Sequence, residues 1–233
     1  MTVRSWLQGL GGALLGPPVE RELAPQGAAG VELLGHRTYV GGLWDEIGQL
    51  QFDFLCSRGL RPEQVLLDIA CGSLRLGVKA IPYLQPGHYL GIEKEALLLE
   101  RGLALELGPE LAARCQPRLI ADADFGFAQF GVQPDVAMAQ SLFTHLPPRL
   151  IERCLQRLHP CLKPSSVLYA TYFISMVPQR LRLRQPHDHA SFHYTRRQVT
   201  RFGERNGYSV EYIGTWNHPR QQQMVAYRPL PQL

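Results

Sequence analysis

Val65-Leu66-Leu67-Asp68-Ile69-Ala70-Cys71-Gly72-Ser73-Leu74-Arg75-Leu76-Gly77 is the stretch whose reading decides the fold. Its first six residues are apolar except for Asp68. They read as a short strand buried on both faces rather than an alternating surface strand. Small residues at Ala70 and Gly72 then mark a tight turn. Leu74–Leu84 reads as a helix interrupted at Pro82.

Outward from this unit the pattern repeats. Upstream, Leu43, Ile47, Leu50 and Phe54 share one helical face. Downstream, Pro86-Gly87 is a turn and His88–Glu93 a second strand. Glu95–Leu107 reads as a helix closed by Gly108-Pro109, where glycine takes the left-handed cap and proline cannot continue. Arg118–Ala123 and Asp135–Gln140 are the third and fourth strands, and Pro147–His159 is a helix. After the turn at Leu162-Lys163-Pro164, Ser166–Phe173 is a fifth strand. Thr195 with Gln198 forms a capping box opening a helix to Asn206, and Gly207 closes it. Tyr208–Trp216 and Gln222–Arg228 are two last strands, close enough to pair antiparallel. The expected fold is α/β: a Rossmann-like, seven-stranded mixed sheet, mostly parallel, with helices on both faces and a C-terminal antiparallel hairpin. Residues 1–30 read as a weakly ordered lead and linker, and 31–233 as one domain with an insertion at about 174–194.

Parallel sheets bind ligands beyond the carboxyl ends of their strands. Asp68 sits at such an end, followed by a turn and the free N–H groups of a helix start. A carboxylate there is a poor neighbour for a phosphate and a good one for an ammonium or sulfonium group. That separates the turn from a dinucleotide-binding loop, where the helix must meet a pyrophosphate. Glu93, 25 residues after Asp68, ends the second strand and can accept from both hydroxyls of a ribose. Asp122-Ala123-Asp124-Phe125, after the third strand, offers a carboxylate for an adenine amino group and an aromatic to cover the ring.

Taken together, Val65–Gly77, Gly91-Ile92-Glu93, Asp122–Phe125, Asp135–Gln140 and Leu162-Lys163-Pro164 resemble class I S-adenosylmethionine-dependent methyltransferases in content and order. Tyr39–Trp44 and Ser141–Pro147 look like the bacterial branch that modifies small molecules and glycans. The resemblance implies S-adenosyl-L-methionine as methyl donor. Asp68 and Gly72 would line its methionine end, Glu93 its ribose, and Asp122, Ala123, Asp124 and Phe125 its adenine, with Ala70, Cys71 and Gln140 completing the donor site. Tyr39, Trp44 and Tyr194 are assigned to the acceptor. The chain departs from the family at two places: Ala70 and Leu74 stand where glycines are usual.

An oxygen nucleophile needs a base. His145, just past the fourth strand, is the candidate, with His193 a second. His145 has an alternative role as an aromatic wall beside the donor. Pro178–Tyr194 is long enough for a lid. Its His187, His189 and His193 are more simply a polar surface than metal ligands, and no metal is expected. The acceptor is read as a hydroxyl of a small molecule or sugar, with an amine as the alternative. Two further alternatives are an NAD(P)-type oxidoreductase and a non-catalytic donor-binding protein on the same fold. Gln140-Ser141-Leu142-Phe143 lacks the Asn-Pro-Pro-aromatic signature of nucleobase amino-methyltransferases, so no nucleic acid partner is expected.

Composition agrees. Apolar residues make up 45% and charged residues 19%, which is ordinary for a globular chain. Net charge is +4, and the late arginines (Arg180, Arg182, Arg184, Arg196, Arg197, Arg201, Arg205) fit a solvated face better than an anion site. Five cysteines with no metal spacing point to free thiols in a reducing, cytoplasmic setting. No apolar run approaches the roughly 20 residues of a membrane span. The weakly apolar start, broken by Gly9, Gly11 and Gly12, is read as a short helix or lead rather than a signal peptide. Oligomeric state leaves no mark in the sequence.

Overall fold

The computed structural model describes residues 25–178 and 185–231. Arg180, Arg182, Arg184 and the lead up to residue 24 lie outside the described residues. The order of elements is α1 (Ala28–Leu34), α2 (His36–Tyr39), α3 (Trp44–Ser57), β1 (Leu66–Ile69), α4 (Gly77–Tyr83), β2 (Tyr89–Glu93) and α5 (Ala96–Arg101). There follow α6 (Pro109–Cys115), β3 (Arg118–Ala121), β4 (Val136–Ala139), α7 (Pro148–Leu158), β5 (Val167–Ile174), β6 (His193–Tyr194), α8 (Arg196–Glu204), β7 (Tyr208–Thr215) and β8 (Gln223–Pro229).

The strands run β3-β2-β1-β4-β5-β8-β7, parallel from β3 through β5, with β8 antiparallel to both its neighbours. The α/β, mostly parallel sheet with a terminal antiparallel pair is the architecture expected. It has eight strands rather than seven, because the two-residue β6 pairs with the end of β5 outside the main path. The chain leaves β1 toward β2 and β3, then returns to the other side of β1 as β4. The switch point therefore lies between β1 and β4, where Asp68 is level with Met138 and, on the other side, with Gly91.

Burial explains why these segments are strands. All residues of β1, β2 and β4 are buried, as expected for strands covered on both faces. One face packs on α7 through Ile151, Cys154, Leu155 and Leu158, all fully buried. The other packs under α3 and α4 through Leu55, Ala80 and Ile81. Each leucine or isoleucine among them contributes about 1.5–3 kcal/mol relative to exposure.

Several boundaries move for local reasons. The helix after β1 begins at Gly77 rather than Leu74, because Ala70, Gly72 and Leu74 have φ of 58°, 56° and 68° and the intervening chain is a tight turn. The residues assigned to a linker up to 30 include the start of α1, where Gly30 and Val31 are buried. Gly108 ends the segment after α5, as expected, but Pro109 occupies the first turn of a further helix, α6. The stretch Gly102–Leu107 continues α5 as a π-helix, and a Cβ at Gly102 would meet the Ser73 backbone at 2.8 Å. This close approach presses the helix onto the turn after β1. The Thr195–Gln198 capping box is present in both directions.

Helix α8 lies on β7 and β8 so tightly that a Cβ at Gly203 would meet Val210 Cγ2 at 2.4 Å and the Tyr227 ring at 2.6 Å. Neither neighbour can swing away, since Tyr227 is fully buried and the branched side chain of Val210 is stiff. Gly203→Ala is therefore expected to destabilise the fold by about 1–3 kcal/mol, read as a lower midpoint in urea with an unchanged slope. Among the described residues no helix is long and apolar enough to cross a membrane.

Candidate active site

The carboxyl ends of β1, β2 and β4 open onto a cavity of about 350 Å³. A second lobe of about 200 Å³ adjoins it, and the two share Ala70, Glu93, Lys94, Leu142, His145 and Asp188. Backbone strain gathers here. Of eight described non-glycine residues with positive φ, Ala70, Phe125 and Ser141 line one lobe or the other. Such conformations cost about 1–3 kcal/mol each and persist where the surroundings hold them.

Glu93 is 6% exposed. Its carboxylate accepts the Gly72 N–H at 3.0 Å and the Glu95 N–H at 3.1 Å, which ties the end of β2 to the turn after β1. Burial raises its pKa, and these backbone bonds work against that rise. Asp68 lies deeper, accepting from Tyr89 Oη at 2.6 Å. Burial pushes its pKa up to about 7, against the pull of the Tyr89 hydroxyl and Arg75. A cation arriving beside Asp68 would favour its ionised form.

The smaller lobe is lined by Ala123, Phe125, Leu146 and Leu150. Its shape and lining suit a flat, mostly apolar ring. Asp122 also lines it, but its Oδ1 accepts the Asp124 and Gly126 N–H groups and its Oδ2 accepts from Gln129. Asp124 lies outside both lobes, in ion pairs with Arg153 and Arg157.

His145 faces both lobes. Its Nδ1 lies 2.8 Å from the Ala190 carbonyl. A carbonyl only accepts, so the proton sits on Nδ1 and Nε2 carries the lone pair. Burial lowers its pKa below the ordinary value, so the ring is neutral at pH 7. Over it lies the segment His187–Ser191. Asp188 in that segment accepts from the Tyr39 hydroxyl, the Lys94 ammonium and the Gly27 N–H, joining the entry helices, the end of β2 and the loop. His187 Nδ1 accepts from the His189 and Ala190 N–H groups, which holds the turn.

The residues anticipated from sequence divide into two groups. Tyr39, Asp68, Ala70, Cys71, Gly72, Glu93 and Gln140 converge on the larger lobe, and Asp122, Ala123 and Phe125 on the smaller. Trp44 is placed elsewhere, buried against His36 with Arg37 over its ring. Tyr194 is fully buried in the core and donates to the Leu146 carbonyl at 2.6 Å. His193 lines neither lobe and stacks on Phe173, which lines the larger one. Arg75, Arg220, Gln222 and Lys94 line the cavity without any local pattern that marks them.

No family model matches the chain. Solved structures do. It superimposes on the magnesium protoporphyrin IX methyltransferase of Synechocystis PCC 6803 with bound SAH, at TM-score 0.59 and 13% identity, over 83% of this chain and 91% of the other. It matches DhpI in complex with SAH at TM-score 0.59 and 13% identity, covering 85% and 89% of the two chains. The mitomycin 7-O-methyltransferase MmcR matches at TM-score 0.57 and 18% identity, over 78% of this chain and 54% of that one. The chain has the class I methyltransferase fold. In this methyltransferase fold the strained turn after β1, the buried acid ending β2 and the two-lobed cavity all sit at the switch point of the sheet.

Proposed function

We propose that the protein is an S-adenosylmethionine-dependent methyltransferase acting on a hydroxyl of a small molecule or a sugar. The observation that carries this reading is Glu93, a buried carboxylate at the end of β2 that accepts the Gly72 and Glu95 N–H groups and faces a cavity at the switch point. Its remaining lone pairs suit the paired hydroxyls of a ribose. The apolar lobe beside it suits an adenine, and Asp68 suits the cationic methionine end. When bound, the donor supplies an electrophilic methyl group on a sulfonium centre.

The chain's own residues then have three tasks. Glu93 and the turn Ala70–Gly72 position the donor, and alignment of nucleophile with methyl supplies a large share of such a rate. His145 Nε2, unprotonated at neutral pH, takes the proton of the acceptor hydroxyl. The loop around Asp188 caps the cavity and limits water. Because Asp188, His189 and Ser191 line the larger lobe, the insertion at 174–194 is assigned to the acceptor side. All five cysteines are free, which favours a reducing compartment.

A ligand at about 100 times its Kd stabilises the folded state by about 2.7 kcal/mol, or roughly 5–10 °C in Tm for a domain of this size. S-adenosylhomocysteine is expected to raise Tm by that amount. A cooperative melt that does not move with the ligand overturns the proposal.

A further inference from the structure

We infer that Asp188 is the positioning residue for His145: it clamps the turn His187–Phe192 to the entry helices and to the end of β2, and that turn sets the orientation and tautomer of the ring. This inference rests on the reading of His145 as the base, and it adds what holds that base in place. The clamp is one carboxylate with both oxygens engaged. Oδ2 accepts from the Tyr39 hydroxyl and from the Gly27 N–H at 3.2 Å, and Oδ1 accepts from the Lys94 ammonium. The Asp188 N–H donates in turn to Gln26 Oε1 at 3.1 Å. These partners stand between 94 and 162 positions away in the chain, so the fold makes the cluster and local sequence does not. Burial works against a charge here, but the Lys94 ammonium and the Tyr39 hydroxyl outweigh it and hold the Asp188 carboxyl below the usual carboxylate range. It is therefore ionised at neutral pH, and bonds to an ionised acceptor are stronger than neutral ones.

The turn carries this hold across to His145. The His187 N–H donates to the His145 carbonyl at 3.2 Å, and the Phe192 N–H to the Thr144 carbonyl at 2.7 Å. Between them the Ala190 carbonyl accepts the His145 Nδ1–H at 2.8 Å. His187 Nδ1 braces the turn from within, accepting from the His189 and Ala190 N–H groups at 3.1 Å each. His189 adds an edge contact with Tyr39, their ring centroids 5.5 Å apart. Ala190 is thus two residues from the clamp, in a turn bonded at both ends to the loop that bears His145. The hydrogen bond at one ring nitrogen decides which nitrogen carries the proton. If the turn shifts, the proton is free to move to Nε2. That nitrogen then donates and cannot take the proton of a hydroxyl. Asp188 also acts by charge. Burial disfavours the imidazolium that forms once His145 takes a proton, and the Ala190 carbonyl and the Asp188 charge favour it.

The test is nitrogen-15 NMR of the full chain with labelled imidazoles at about pH 8, where the ring is neutral, His145 being assigned by its loss in His145→Gln. Wild type is expected to show one neutral tautomer, with the proton on Nδ1. In Asp188→Asn the ratio of Nδ1–H to Nε2–H is expected to fall about tenfold, which brings the two ring-nitrogen shifts toward each other. Tyr39→Phe removes one donor and leaves the charge. A smaller fall in the same direction is expected there, and this variant carries the test where Asp188→Asn fails to fold. A thermal melt beside each spectrum separates positioning from plain stability. Variants with a lower Tm and the wild-type tautomer reduce Asp188 to a structural tie and overturn the inference. A wild type with the proton on Nε2 overturns it as well. No donor or acceptor is present in the sample, so failure of S-adenosylhomocysteine to bind leaves this result standing and belongs to the methyltransferase reading alone.

Discussion

His145→Ala is expected to lower kcat by about 10²–10⁴-fold, the usual contribution of a positioned general base, while S-adenosylhomocysteine affinity changes only a few-fold. The expectation comes from geometry. The Ala190 carbonyl holds the proton on Nδ1, and the ring borders both lobes, where the proposed function brings donor and acceptor together. The sign of the pH dependence follows from burial, which lowers the pKa from its ordinary value. Above that lowered value the ring is neutral and competent; below it the ring is protonated and cannot accept. The wild-type kcat should therefore rise with pH on the acid side, reach its plateau before neutrality and lose that limb in His145→Ala. His145→Gln keeps bulk and polarity without a basic nitrogen. A His145→Gln variant as fast as wild type, with the acid limb intact, would make the ring a wall and not a base.

The second large effect is on the donor. On the proposed function, Glu93→Ala removes two charge-assisted bonds to a ribose, at about 1.5–3 kcal/mol each, and is expected to cost roughly 10²–10⁴-fold in affinity. Glu93→Gln keeps the shape but can accept at one atom only, so an intermediate loss is expected. Glu93→Ala also leaves both the Gly72 and Glu95 N–H groups without their acceptor, and Glu93→Gln leaves one of them so. Some stability is lost with them, at about 1–3 kcal/mol per buried group. A melt measured beside the titration separates the two effects. Retention of full affinity in a folded Glu93→Ala variant would remove Glu93 from the donor site.

What the sequence revealed follows the range of the interactions. The capping box at Thr195 and Gln198 spans three residues, and local pattern is enough to find it. Glu93 was legible because strand-end acids are set by the strand itself. The helix starting at Pro109 was hidden by the stop signal before it, since the residue that ends one helix can open the next. The two-residue β6 is too short to show a period. Arg75 and Arg220 were invisible for another reason. One reads as an ordinary turn residue and the other as a loop residue, and only the fold brings 145 positions of separation down to one cavity wall. Trp44, assigned by resemblance, and Tyr194, assigned by its place before the last helix, line neither lobe, because packing holds Trp44 against His36 and Tyr194 among Tyr172, Phe192 and Phe202. Ala70 and Leu74 show the opposite case. They stand where the resemblance expects glycines, and both adopt the left-handed backbone that favours glycine.

The most direct measurement is calorimetric titration of the wild-type protein with S-adenosylhomocysteine, with NADP⁺ in a parallel cell. One-to-one binding of S-adenosylhomocysteine at micromolar Kd, with no heat from the dinucleotide, is the predicted result, because the acids at Asp68 and Glu93 oppose a pyrophosphate. A folded protein that binds the dinucleotide and leaves S-adenosylhomocysteine in solution would contradict the account.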